Sequence, residues 1–144
     1  MAPIIQATAG GDYPLLRYEW RRTRDALQSL ADRGLRDAPV QLAYVNPESG
    51  GDCLNTIAFA AMLLRPGEEI ALPRDSAARV FHVVEGDGEA RIDEVSLAFT
   101  QGDTFCAPGR STLRLANGSG RAPTFLITAD ESPLQRKLGV YEEC

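Results

Sequence analysis

A single histidine, His82, occurs in 144 residues, and that scarcity excludes more than any other feature of the composition. Imidazole-based iron, copper and zinc sites take two or three histidines, so His82 alone cannot build one. Cysteine is sparse too. Cys53, Cys106 and Cys144 are odd in number and widely spaced, with no C-x-x-C pair, which indicates neither a disulfide framework nor a zinc knuckle. Reduced thiols are the expectation. Long hydrophobic runs are missing: the longest, residues 57–64, is eight residues, whereas about 20 span a bilayer. The opening MAPIIQATAGGD lacks a basic segment followed by an apolar stretch, so no secretory signal is expected and the cytoplasm is the expected compartment. There is no basic excess either. Fifteen basic against 20 acidic side chains leave a net charge of −5, and a nucleic-acid partner would need a basic face to neutralise phosphates.

What remains is the chemistry of one domain with a proper core, since 44% of the residues are hydrophobic. Residues 1–13 are small, polar and glycine-rich and read as a flexible arm. Leu27, Leu30 and Ala31 then recur at helical spacing, with Gly34 as a stop, which predicts a short amphipathic helix over about 21–33. Residues 17–36 carry six arginines against Glu19, Asp25 and Asp32, a pattern expected of a solvated helix face on a more acidic body. Beyond the Gly50-Gly51 turn, Gly, Pro, Asn and Asp punctuate short apolar segments every eight to twelve residues, the rhythm of an all-β sandwich or barrel. Residues 56–64 are almost continuously apolar, so as a strand they need cover on both faces. Residues 79–85 and 89–92 flank Gly86-Asp87-Gly88 and read as a hairpin.

Two spacings go further. Gly67, Pro73, Asp75, Arg79 and Gly86 form one frame, and Gly102, Pro108, Arg110, Leu113 and Asn117 form a second, with fifteen residues between Gly86 and Gly102. Together they resemble the two motifs of the cupin superfamily, an all-β fold with a single jelly-roll barrel per domain. In that pattern, histidines stand at the positions of Pro73 and Asp75, a glutamate at Arg79 and a third histidine at Leu113. The glycines, Pro108 and Asn117 are in register, while all four ligand positions are exchanged. The resemblance therefore implies residues 14–144 as one cupin domain: the helix, a barrel over about 40–130, and a C-terminal tail.

A narrower likeness runs along nearly the whole chain. Residues 18–26 (YEWRRTRDA), 44–47 (YVNP) with Gly50-Gly51, Thr56-Ile57, 81–88 (FHVVEGDG), Gly102-Asp103 with Phe105, and 138–143 (LGVYEE) are similar to the C-terminal cupin half of gentisate 1,2-dioxygenases and their salicylate- and hydroxynaphthoate-cleaving relatives. Those enzymes use non-haem Fe(II) and O₂, and their iron is typically held in the N-terminal half. In this chain proline has no donor, leucine is apolar and arginine is a permanent cation, so no metal and no cofactor are expected.

Arg79 projected into a barrel must be paired or solvated. An internal ion pair with Asp75 satisfies it, and the alternative is a pocket of Asp75, Arg79 and Leu113 holding a small carboxylic acid, with Arg74 or Arg114 assisting. Strand alternation that turns 79, 81 and 83 inward turns His82 outward, as a structural or interface histidine. Cys106 is expected to be a buried small hydrophobe. No serine has a G-x-S-x-G setting, and no helix opens after the 86–88 turn to cradle phosphate. Three functions stay open: a non-catalytic structural or assembly module, a small-acid binding module, and a dioxygenase whose ligands come from elsewhere, such as an iron-bearing cupin chain. A homodimer or higher oligomer is expected, with no membrane partner.

Overall fold

The computed structural model of the protein describes residues 17–34 and 38–144, so the arm expected over 1–13 lies outside the described residues. The elements run α1 (Trp20–Asp32), β1 (Val40–Ala43), β2 (Ala58–Leu64), β3 (Glu69–Leu72), β4 (Arg79–Glu85), β5 (Asp87–Ile92), β6 (Val95–Thr100), β7 (Thr104–Ala107), β8 (Leu113–Ala116), β9 (Thr124–Asp130) and α2 (Ser132–Leu138). A five-stranded sheet, β1-β2-β9-β4-β7, faces a four-stranded one, β3-β8-β5-β6. Every pairing is antiparallel.

Period-two alternation supplies the core between the sheets. Met62, Leu64, Phe81, Val83, Leu126 and Phe105 come from one sheet, and Ala90, Phe99, Leu113 and Leu115 from the other. The rings of Phe81, Phe105 and Phe99 stack in succession, with centroids 5.0 and 5.3 Å apart. The opposite face of β2 turns Ala61 and Leu63 toward Leu27 of α1, together with Val40, Leu42 and Phe125. The apolar strand is thus covered on both sides over its second half, by the core and by the chain's own helix. Helix α1 is fastened by more than apolar contact. Arg24 Nε reaches both Glu85 oxygens at 2.9 and 3.0 Å, Trp20 meets Phe125 edge-on, and the Tyr44 hydroxyl donates to Thr23 Oγ1 at 2.8 Å.

The segment 79–92 is not a hairpin. Strand β4 pairs with β7 and β9, while β5 pairs with β6 and β8, so Gly86 marks the point where the chain leaves one sheet for the other. Gly86 has φ of +90°, and a Cβ there would lie 2.6 Å from Thr124 Oγ1. Gly88, one step into β5, would place a Cβ 2.3 Å from the Ala116 carbonyl oxygen. Both glycines serve a close sheet-to-sheet crossover, which shares its local turn chemistry with a hairpin.

Asn117 performs a comparable structural task. It is buried, and its amide donates to the carbonyls of Leu64 (3.2 Å) and Ala122 (2.8 Å) while its oxygen accepts from the Ser119 N–H at 3.0 Å. Gly86 and Asn117, one from each motif frame, therefore answer to backbone geometry. None of these requirements involves a metal.

Candidate functional site

Strands β3, β4, β7 and β8 bring the exchanged positions to one end of the barrel. Pro73 follows β3, Asp75 lies in the β3–β4 connection, Arg79 opens β4 and Leu113 opens β8, and all four line one recess with Ala107 and Ser111. The recess has a volume of about 10 Å³. That is room for about one water molecule and far below the several hundred Å³ of ordinary small-molecule pockets.

Its polar content is fully engaged. Asp75 is 7% exposed and forms an ion pair with Arg79 through Oδ2, while its Oδ1 accepts the Ala77 N–H at 3.0 Å. Arg79 Nη1 also donates to the Pro73 carbonyl at 3.3 Å. The Tyr141 hydroxyl donates to Asp75 Oδ2 at 3.3 Å. Burial first, and then the negative charge of Asp75, push the Tyr141 phenol above its ordinary pKa. Among the described residues, no buried side-chain nitrogen or oxygen lacks a hydrogen-bond partner.

This donor set does not fit an iron centre. Proline and leucine offer no donor atom, arginine carries a permanent positive charge, and the carboxylate oxygens of Asp75 are already bonded to Ala77, Arg79 and Tyr141. The polar network is complete without an ion.

The other candidates lie elsewhere. His82 is exposed on the outer face of the five-stranded sheet, with Nδ1 3.0 Å from Thr104 Oγ1. Cys106 is exposed as well, contrary to the expectation of a buried thiol: Phe105 and Ala107 point inward on β7, and alternation turns the residue between them out. Arg74 donates to the Arg110 carbonyl, and Arg114 pairs with Glu69 at 3.0 Å on the outer face of the four-stranded sheet, so neither assists Arg79. Two larger concavities share no lining residue with the recess. One of about 540 Å³ is lined by Tyr18, Tyr44, Cys53, Leu54 and Phe59, and one of about 650 Å³ lies near Asp32, Glu68 and Arg121. Sequence reasoning missed Tyr141, because its partner Asp75 is 66 positions away and no local pattern connects them.

Two facing antiparallel sheets, with Gly86 of the motif frame at the crossover and four convergent positions at one barrel end, are the architecture of a cupin domain. No protein-family model matches the chain. It is 52% identical over 130 residues to the gentisate 1,2-dioxygenase of Ralstonia sp., a match covering 90% of the chain and 37% of that protein. It is 32% identical over 134 residues to the 5-aminosalicylate 1,2-dioxygenase of Comamonas sp., covering 91% and 35% respectively. Among solved structures, salicylate 1,2-dioxygenase from Pseudoaminobacter salicylatoxidans, seen in adducts with gentisate, matches with a TM-score of 0.77 at 26% identity, over 87% of this chain and 35% of that one. The chain is a cupin related to the gentisate- and salicylate-type 1,2-dioxygenases, and it spans little more than a third of the length of the relatives it matches.

Proposed function

We propose that this chain is a metal-free cupin module of the gentisate dioxygenase kind, serving structure and assembly rather than ring cleavage. The observation that carries the reading is the Asp75–Arg79 ion pair, flanked by Pro73 and Leu113, at the positions where the superfamily pattern places metal ligands. An iron site must leave open coordination positions for substrate and oxygen, and here a guanidinium fills that space. The test is oxygen uptake by the purified chain after loading with Fe(II), in the presence of gentisate or salicylate. No uptake above the protein-free background is expected, and turnover that disappears on chelation would overturn the reading.

The partner in this reading is a second copy of the chain. Helix α1 covers one part of the five-stranded sheet's outer face, and Val80 and Leu54, each 41% exposed, together with the half-buried Phe59 and Ile127, supply apolar surface beyond it. Apolar surface of that kind favours association. Light scattering at micromolar concentration should report at least a dimer, and a mass near 15.6 kDa would contradict this. Cytoplasmic work is consistent with the free thiols of Cys53, Cys106 and Cys144. Among the described residues, no helix is long and apolar enough to cross a membrane.

A further inference from the structure

Helix α2 ends at Gly139, whose φ of +74° turns the chain back across the barrel end. The next five residues lie alongside residues 74–76 like an added strand. Ser76 N–H donates to the Glu142 carbonyl at 2.9 Å, Glu142 N–H to Ser76 Oγ at 2.9 Å, and Cys144 N–H to the Arg74 carbonyl at 3.0 Å, with Asp75 and Glu143 forming an antiparallel bridge. Side chains add Tyr141 on Asp75, the Arg136 guanidinium 4.4 Å over the Tyr141 ring, and the Arg110–Glu142 pair at 2.6 Å.

Nearly all of this is open to water. Val140 is 55% exposed, the side chains of Arg110 and Glu142 are 54% and 60% exposed, and Tyr141 alone in the segment is half-buried. Solvated hydrogen bonds and screened ion pairs hold a segment weakly, whereas Phe81, Val83 and Leu126 beneath are fully buried. The segment packs directly on Asp75, a charged residue of the recess lining, through the Tyr141 hydroxyl and the bridge at Glu143.

We propose that residues 140–144 form a strap that opens independently of the barrel, pivoting at Gly139, and that its opening is the step that exposes Asp75 to solutes. Closed, the strap supplies the Tyr141 hydroxyl to Asp75 and leaves room for about one water. Open, it frees the volume of the Tyr141 ring beside Asp75. The strap is thus a built-in cover over Asp75, a device that the metal-free reading does not require.

Site-resolved hydrogen exchange on the full chain tests it. The amides of Ser76, Glu142 and Cys144 should exchange at least about tenfold faster than those of Phe81, Val83 and Leu126. Combining Tyr141→Phe with Glu142→Gln should speed the strap amides by about a further tenfold and leave the core amides unchanged. Strap amides that exchange only at the core rate would overturn the proposal, as would a variant that accelerates strap and core equally. A second readout is thiol labelling at the recess, using Leu113→Cys in a Cys106→Ser/Cys144→Ser background. Its rate should rise about tenfold with the strap substitutions, and an unchanged rate would show that the strap does not cover the recess.

Discussion

Replacing Asp75 with alanine should cost about 3 kcal/mol of stability, the lower end of the range for breaking a buried ion pair. The lower end applies because the Arg79 side chain keeps 20% of its surface in water, although Asp75 keeps only 7%. The loss has three parts. Arg79 is left as an uncompensated cation among Pro73, Ala107 and Leu113, the Ala77 N–H loses its acceptor, and the Tyr141 hydroxyl loses its own. For a domain of this size such a loss lowers the melting temperature by roughly 10 °C. Removing both charges is a different experiment. Asp75→Leu with Arg79→Met leaves no unpaired charge and fills similar volume, so the double variant should recover the part of the deficit due to the stranded cation, while the Ala77 N–H and the Tyr141 hydroxyl still lack their acceptor. Thermal denaturation of the three variants decides the matter: Asp75→Ala at wild-type stability would mean that the pair holds nothing together.

The second large effect concerns rebuilding a metal site. Since Pro73, Asp75, Arg79 and Leu113 already converge on one recess, Pro73→His, Asp75→His, Arg79→Glu and Leu113→His together should create divalent-metal binding at about micromolar affinity or tighter. The triple-histidine variant that retains Arg79 should bind at least about a hundredfold more weakly. A guanidinium near a divalent ion opposes it by on the order of a few kcal/mol at an effective dielectric near 20, and each 1.4 kcal/mol is a factor of ten. Calorimetric titration with Ni(II) measures both. A folded quadruple variant that binds no metal would show that these side chains do not point to one centre.

How much of this was legible in the sequence differs from element to element. Helix α1 was expected over about 21–33 and spans 20–32, because apolar spacing and the following Gly34 are local signals. The inward turn of Arg79 followed from the cupin motif register and the outward turn of His82 from alternation against it, and the same alternation, applied to Phe105 and Ala107, would have placed Cys106 outside. The crossover at Gly86 was not legible, since a hairpin and a sheet change demand the same residues and differ only in distant partners. Helix α2 escaped notice because it is seven residues long, with proline in its first turn and few periodic positions to read. The strap beyond it depends on pairing with residues 74–76, a contact that no local pattern encodes.

The most direct test of the central claim is metal content. The chain should be purified, washed with chelator, reloaded with Fe(II) under anaerobic conditions, desalted and subjected to elemental analysis. Pro73, Asp75, Arg79 and Leu113 give iron no usable donor set, so the account predicts no stoichiometric iron after desalting. Iron retained at about one atom per chain would contradict it, because a single-histidine chain with this recess would then be holding a metal by ligands that the account does not contain.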